Sequence, residues 1–216
     1  GDLLMGDDGT PRQVLVLCRG RQQMYRVTMK TSGDSFICNE DHVLTLSHNN
    51  TLFDITLKEF LGKSKSFQER CKQHYAEGYE LPKKTLLIPP YALGAWLGDG
   101  SKSAFRVMDN SGLGIAERIA KEVNATLLSP TKTNREYHNF DTGVKGEMLN
   151  KLKQLGVYNR KHLPDDYKYT SIEDRLQLLA GLIDTDGTYS HHDEYFRFYQ
   201  KDFKLAEDVR DIARSV

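Results

Sequence analysis

The sequence predicts an α+β protein in two parts, a partial all-β segment followed by a larger domain in which helices and strands alternate. Three observations carry that expectation. Residues 1–56 break into short strands and turns. From residue 89 onward, apolar residues recur at helical spacing between short strands. One apolar segment ending in Asp-Gly occurs twice, at 92–100 and at 179–187.

The bulk properties exclude more than they assign. A chain of 216 residues suffices for one large or two small domains. Lys plus Arg equal Asp plus Glu at 30 each, so total charge indicates no anionic partner. No apolar run approaches the ~18 residues of a membrane span. The opening "GDLLMGDDGT" lacks the basic start and apolar stretch of a signal peptide, and it lacks an initiator Met, so an internal fragment is expected. Cys18, Cys38 and Cys71 are odd in number and form no CxxC pair; unpaired thiols in a reducing, intracellular compartment are the expectation.

In chain order, "GDDGTPR" reads as a turn, and "QVLVLC" and "MYRVTMK" read as two arms of a ribbon around "RGRQQ". "SFICNEDHVLTLSH" supplies two more short strands. Residues 57–88 are charged, partly helical and read as a connector. "IPP" at 88–90 stops the chain and opens a helix, because proline suits a first helical turn. A strand "AFRVMDN" follows, then a helix with Ile115, Ile119 and Val123 on one face. Next come strands "ATLLSP" and "REYHNFDT" and a helix carrying Leu149, Leu152 and Leu155. "GLG" at 112–114 is a helix start rather than a nucleotide loop. Ser171 and Asp174 form a capping box for a further helix. After "YFRFYQ" a last helix places Phe203, Ala206, Val209, Ile212 and Ala213 together.

The repeated segment poses a physical question. "LLAGLIDTDG" ends a helix in two aspartates, although a helix C-terminus already carries partial negative charge and unpaired carbonyls. Aligned with "ALGAWLGDG", Gly94 falls on Gly181, Asp99 on Asp186 and Gly100 on Gly187. Gly94 and Gly98, like Gly181 and Thr185, lie four apart and give each helix a face of little bulk, so two such helices can approach closely. Packed in parallel, they deliver both carboxylates to one spot, an all-oxygen nest for a hard divalent cation.

"LLAGLIDTDG" is close to the signature of the LAGLIDADG homing endonucleases, and "ALGAWLGDG" resembles the first-copy variant in their intein-borne, DOD-type members. "KHLPDDYKYTSIEDRLQLLAGLIDTDG" resembles the intein pattern of a lysine, Leu-Pro and the second motif helix. Upstream, "GDLLMGDDGTPRQV", "RGRQQMYRV" and "FICNEDHVLTL" are similar to the Hint splicing domain of inteins. The resemblance implies a partial Hint domain at 1–56, a connector at 57–88 and an endonuclease domain of αββαββα repeats at 89–216, the first at about 89–157 and the second from about 171.

It also implies roles. The last acidic residue of each motif, Asp99 and Asp186, binds Mg²⁺ for hydrolysis of both strands of duplex DNA, and Lys161 assists the water or the transition-state charge. Asp184 matches no catalytic position and is expected to be exposed or paired locally. Asn39 and His42 stand at the spacing of a splicing motif whose histidine activates the scissile amide. The residue-one nucleophile and closing His-Asn of that reaction are missing. For DNA contact we expect Lys132, Asn134 and Arg135 in a strand-joining loop, and Tyr195, Arg197 and Tyr199 on one strand face. Residues 101–170 hold twelve Lys and Arg against eight Asp and Glu, which suits phosphates. His191 and His192 are read as surface residues.

The expected partners are double-stranded DNA and the exteins of a host protein, for a monomer located with that host. Two other functions share the fold: nucleic-acid binding without cleavage, as in maturases and regulators, and a splicing element with a decayed nuclease. Between Asp99 and Asp186 the spacing is 87 residues, yet only 30 follow Asp186. The second repeat is therefore expected to be incomplete, and the chain as written to neither splice nor cut efficiently.

Overall fold

The computed structural model describes residues 1–75, 78–101, 104–109, 112–129, 131–132 and 136–216. The chain divides into two units, Gly1–Gly6 with Pro11–Ala76 and Asp7–Thr10 with Glu77–Val216. Helices and small sheets are both present, as an α+β chain requires.

In the first unit, β1 (Leu3–Met5) pairs antiparallel with β2 (Pro11–Gln13), and β3 (Met24–Thr28) with β4 (Ser35–Asn39). β5 (Val43–His48) alternates, burying Leu44 and Leu46 while Val43 and Thr45 face out. It turns into β6 (Thr51–Thr56) through Asn49 and Asn50 at φ 50° and 61°, a two-residue hairpin loop for which asparagine is suited. Thr56 then caps α1 (Leu57–Leu61) in a reciprocal box with Glu59, and Ser64 caps α2 (Lys65–Arg70). β7 (Lys72–Gln73) pairs with β5. The core is Cys38, Leu44, Leu46, Ile55 and Leu57, and Phe60 and Cys71 from beyond residue 56 pack against it.

One expected strand is absent. Residues 14–18 form none, and Leu15 is 85% exposed. β3 takes β4 as its partner instead, because Tyr25 opposite Cys38 and Val27 opposite Phe36 bring both sets of large side chains to one core.

The second unit is built around α3 (Pro90–Asp99), apolar on every side and buried from Tyr91 through Leu97, as such a helix must be. β8 (Arg106–Met108) leads to α4 (Ile115–Glu122), which enters through Gly114 at φ 72° and buries Ile115 and Ile119. β9 (Thr126–Leu127), β10 (Thr131–Lys132) and β8 all pair antiparallel with β11 (Glu136–Asp141). α5 (Glu147–Gln154) and the short α6 (Asp165–Lys168) precede α7 (Ile172–Asp186). The hairpin of β12 (Gly187–Ser190) and β13 (Tyr195–Phe198) and then α8 (Phe203–Ala213) follow. Tyr167 anchors the start of α3: its hydroxyl donates to the Ile88 carbonyl at 2.7 Å and accepts from the Ile88 N–H at 2.9 Å. Burial pushes its pKa up to about 12.

Two helix faces differ from expectation. α5 buries Met148 and Leu152, while Leu149 is half-buried and Leu155 falls at the C-cap. α8 buries Leu205, Val209 and Ile212, and Phe203 is 76% exposed. Asp202 caps α8 by accepting from the Leu205 N–H, so Phe203 occupies the first turn, off the buried stripe. Asp208 can share that stripe because Lys204 meets it at 3.0 Å and Lys168 at 3.6 Å. The expected capping box of α7 is half made: Ser171 accepts from the Asp174 N–H, but Thr170 donates to the Asp174 carboxylate at 2.8 Å.

Candidate functional site

α3 and α7 lie against one another in parallel. Gly181 faces Tyr91 and Ala95, Gly94 faces Leu178 and Leu182, and Gly98 faces Thr185 and Asp186, so the contacts advance along both helices together. A Cβ at Gly181 would stand 2.7 Å from the Ala95 nitrogen and collide with the Tyr91 carbonyl; one at Gly94 would collide with the Leu178 carbonyl. Thr185 tucks its hydroxyl back onto the Gly181 carbonyl at 2.9 Å, which satisfies it within its own helix. The small residues therefore let the backbones touch.

Parallel packing brings the last residues of both helices, Asp99 and Asp186, to the same end of the pair. The Asp186 carboxyl is held above the ordinary carboxylate range, first by burial and then by the negative charge of Asp99, with Lys161 opposing. Lys161 comes from the loop between α5 and α6, and its ammonium donates to the Gly98 carbonyl at 2.8 Å. Like charge crowded at two helix C-termini is unfavourable unless a cation offsets it. Among the described residues no group of three or more His, Cys, Asp or Glu side chains is arranged for a metal. The two carboxylates that could face a cation here offer hard oxygen atoms, the donor type that suits Mg²⁺.

Asp184, the other aspartate of the segment, is half-buried and has a partner on the neighbouring helix: the Tyr91 hydroxyl donates to it at 2.8 Å. Burial and that bond push the Tyr91 pKa well above the usual phenol range. Arg118 of α4 lies over the Tyr91 ring at 3.4 Å and bonds Glu122 and Gln177, tying α3, α4 and α7 together. Sequence reasoning gave no part to Arg118 or to Trp96, which stands beside Lys161. An isolated arginine and an apolar helix residue carry no pattern that would have marked them.

The strand residues lie apart from this cluster in sequence. Tyr195, Arg197 and Tyr199 alternate along one face, and all three are exposed. Arg197 is held by its own hairpin: its Nε donates to the Tyr195 hydroxyl at 2.9 Å and its guanidinium lies 4.8 Å from that ring. The opposite face is not uniformly covered, since Phe198 packs on the core while Phe196 is exposed beside Tyr189, ring centroids 4.9 Å apart. Lys132 lies on β10, opposite Glu136, and not in the strand-joining loop expected for it, because the chain already pairs with β11 at that position; Asn134 and Arg135 lie outside the described residues. His191 and His192 are exposed, and His192 meets Asp193 at 2.9 Å.

In the first unit, Asn39 ends β4 and its amide donates to Gln22. His42 follows in the turn to β5, its N–H donating to the Asn39 carbonyl at 3.4 Å and its carbonyl accepting from Leu57 N–H at 2.9 Å. The His42 ring, 6.0 Å from that of Phe36, lines a cavity of about 550 Å³ with Phe60, Cys71 and His74. All three cysteines are free.

Comparison with known proteins gives two findings. Residues 1–78 match a family described as "Hom_end-associated Hint", which supports an intein Hint domain in that segment and an association with homing endonucleases. The chain is also similar to a protein named replicative DNA helicase DnaB from Mycobacterium intracellulare, 33% identical over 141 residues. Those residues are 65% of this chain and 21% of that protein, so the chain spans about a fifth of the length of the curated relative it matches.

Proposed function

With residues 1–78 similar to the Hint domains associated with homing endonucleases, we propose that the chain is part of an intein that carries a LAGLIDADG endonuclease. Its activity is Mg²⁺-dependent, site-specific hydrolysis of both strands of duplex DNA. One observation carries the reading: α3 and α7 pack in parallel through Gly94, Gly98 and Gly181 and end together in Asp99 and Asp186. A helix pair built only for stability has no use for two carboxylates crowded at its negative end. The name of the curated relative suggests the host, a replicative DNA helicase whose two flanking halves are the exteins and whose uninterrupted gene is the DNA target.

In this reading Asp99 and Asp186 hold the cation at the shared helix end. Bound there, Mg²⁺ would supply positive charge to the scissile phosphate and the leaving oxygen, and lower the pKa of an attacking water. Lys161, fixed to the Gly98 carbonyl, places a second positive charge at that end, where negative charge grows as the phosphodiester is attacked. The Asp186 carboxyl is half-buried at the same point. Tyr195 and Arg197 of β13, with Tyr199 just beyond it, contact the duplex, and Lys132, Asn134 and Arg135 add to that contact. In the Hint segment, His42 activates the N-terminal scissile amide, with Asn39 beside it.

The test uses the element as its gene encodes it, with plasmid carrying an uninterrupted helicase gene. Asp99→Asn and Asp186→Asn are each expected to abolish cleavage while DNA binding stays nearly unchanged, because the carboxylates serve the cation and not the bases. Near-normal cutting by either variant removes that aspartate from the mechanism, and specific binding with no cutting by the parent favours a binding module of the same fold. Arg197→Ala is expected to weaken binding to the cognate site by ~1–3 kcal/mol and relax preference at one base pair. An equal loss on every sequence would make Arg197 a phosphate contact instead.

A further inference from the structure

Trp96 is the one tryptophan of the 216 residues, and it is wholly buried in α3. Its indole N–H donates to the Ala104 carbonyl at 3.2 Å, which fixes the plane of the ring. The chain leaving α3 passes so close that a Cβ at Gly100 would collide with the indole, which explains glycine at that position. A ring held on both sides presents a fixed face, and Lys161 occupies it. The ammonium lies 5.1 Å from the ring centroid while it donates to the Gly98 carbonyl at 2.8 Å. A cation within about 6 Å of an indole face is attracted by the ring quadrupole, and tryptophan is the best of the aromatic residues at this. Lysine needs such help, because its flexible four-carbon stem and three rotatable donors do not define one position.

From this geometry we propose that Trp96 is a positioning residue. Its ring face and the Gly98 carbonyl together hold the Lys161 ammonium at the common end of α3 and α7, where Lys161 acts on the same ground as Asp99 and Asp186. What the lysine then does to a phosphodiester rests on the nuclease reading; the capture of the lysine by the ring does not.

A residue that merely fills the core depends on shape, whereas a residue that captures a cation depends on the electron density of its face. Fluorotryptophans separate the two. Biosynthetic incorporation alters this ring alone, keeps its shape and N–H nearly intact, and withdraws density with each fluorine. The probe is the rate at which acetic anhydride acetylates Lys161 in the full chain at fixed pH, followed by mass spectrometry, with exposed Lys58 as internal reference. Going from tryptophan to the most fluorinated ring, the Lys161 rate is expected to rise stepwise by about two- to five-fold, with Lys58 unchanged. Trp96→Phe, which keeps a weaker face, should fall between the parent and Trp96→Leu. A flat rate across the fluorinated series, with every sample still unfolding cooperatively, overturns the proposal and leaves Trp96 as core packing. Because the assay needs no cleavage, a failure of the nuclease reading appears separately, in the Asp99 and Asp186 variants.

Discussion

The two aspartates of "IDTDG" sit two residues apart and meet different fates. Asp184 accepts a bond from Tyr91 and helps join two helices, whereas Asp186 shares its surroundings with Asp99. A carboxyl whose folded pKa lies above its unfolded value favours the folded state most when both states are protonated. That advantage is lost as pH rises through the folded pKa. Asp186, raised from 3.8 in this way, therefore weighs against folding at neutral pH when no divalent cation is present. In chelator at pH 7, Asp186→Asn should raise the melting temperature, and the gain should shrink toward zero below about pH 4. Calorimetry across that range checks it, and a variant less stable than the parent at pH 7 would count against the crowding. Asp99 and Asp186 were legible in the sequence because the repeat aligns them, and the hydrophobic-then-acidic pattern implied their shared location. The bond from Tyr91 to Asp184 was not, since it depends on a helix 93 residues away.

At the level of elements, α3 and α7 derive their closeness from what their sequences leave out. Gly181→Ala forces a methyl group against the Tyr91 carbonyl and the Ala95 nitrogen, and Gly94→Ala forces one against the Leu178 carbonyl. Neither neighbour is the end of a flexible side chain, so each substitution should destabilise the second unit by ~1–3 kcal/mol or more, despite the better helix propensity of alanine. Urea unfolding followed by Trp96 fluorescence measures this; an unchanged midpoint would mean that the helices stand further apart. These helices, and α4, α5 and α8, were legible from apolar spacing, which placed Leu152, Val209 and Ile212 in the core but missed Met148 and Leu205. In α8 the spacing could not reveal that Asp208 is buried by virtue of Lys168 and Lys204. Residues 14–18 misled for a related reason: β-branched and leucine residues suit a strand, but strand pairing is decided by the partner, and β4 offered β3 the better match.

For the molecule as a whole, two cores imply two separable stabilities. Leu46→Ala in the first core should cost ~2–5 kcal/mol there, while unfolding monitored by Trp96 fluorescence in the second unit keeps its midpoint. A shift of both transitions together would mean that the units fold as one. The change from strands to alternating elements was legible at this scale, but Phe60 and Cys71 stand in charged sequence and declare their place only by packing on the first core. The helix pair of the second unit carries one more consequence. Gly94 meets Leu178, and 87 positions further on Gly181 meets Tyr91, which stands the same 87 positions before Leu178; Gly98 meets Thr185, its own counterpart. The contact thus repeats itself on exchange of the two helices, as an isologous interface between identical subunits does. An approximate two-fold axis runs between α3 and α7, and Asp99 and Asp186 are the two images of one residue across it. The likeness ends at the contact itself: Tyr91 donates to Asp184, whereas their counterparts Leu178 and Leu97 are apolar, so the two closing aspartates hold like positions among unlike neighbours.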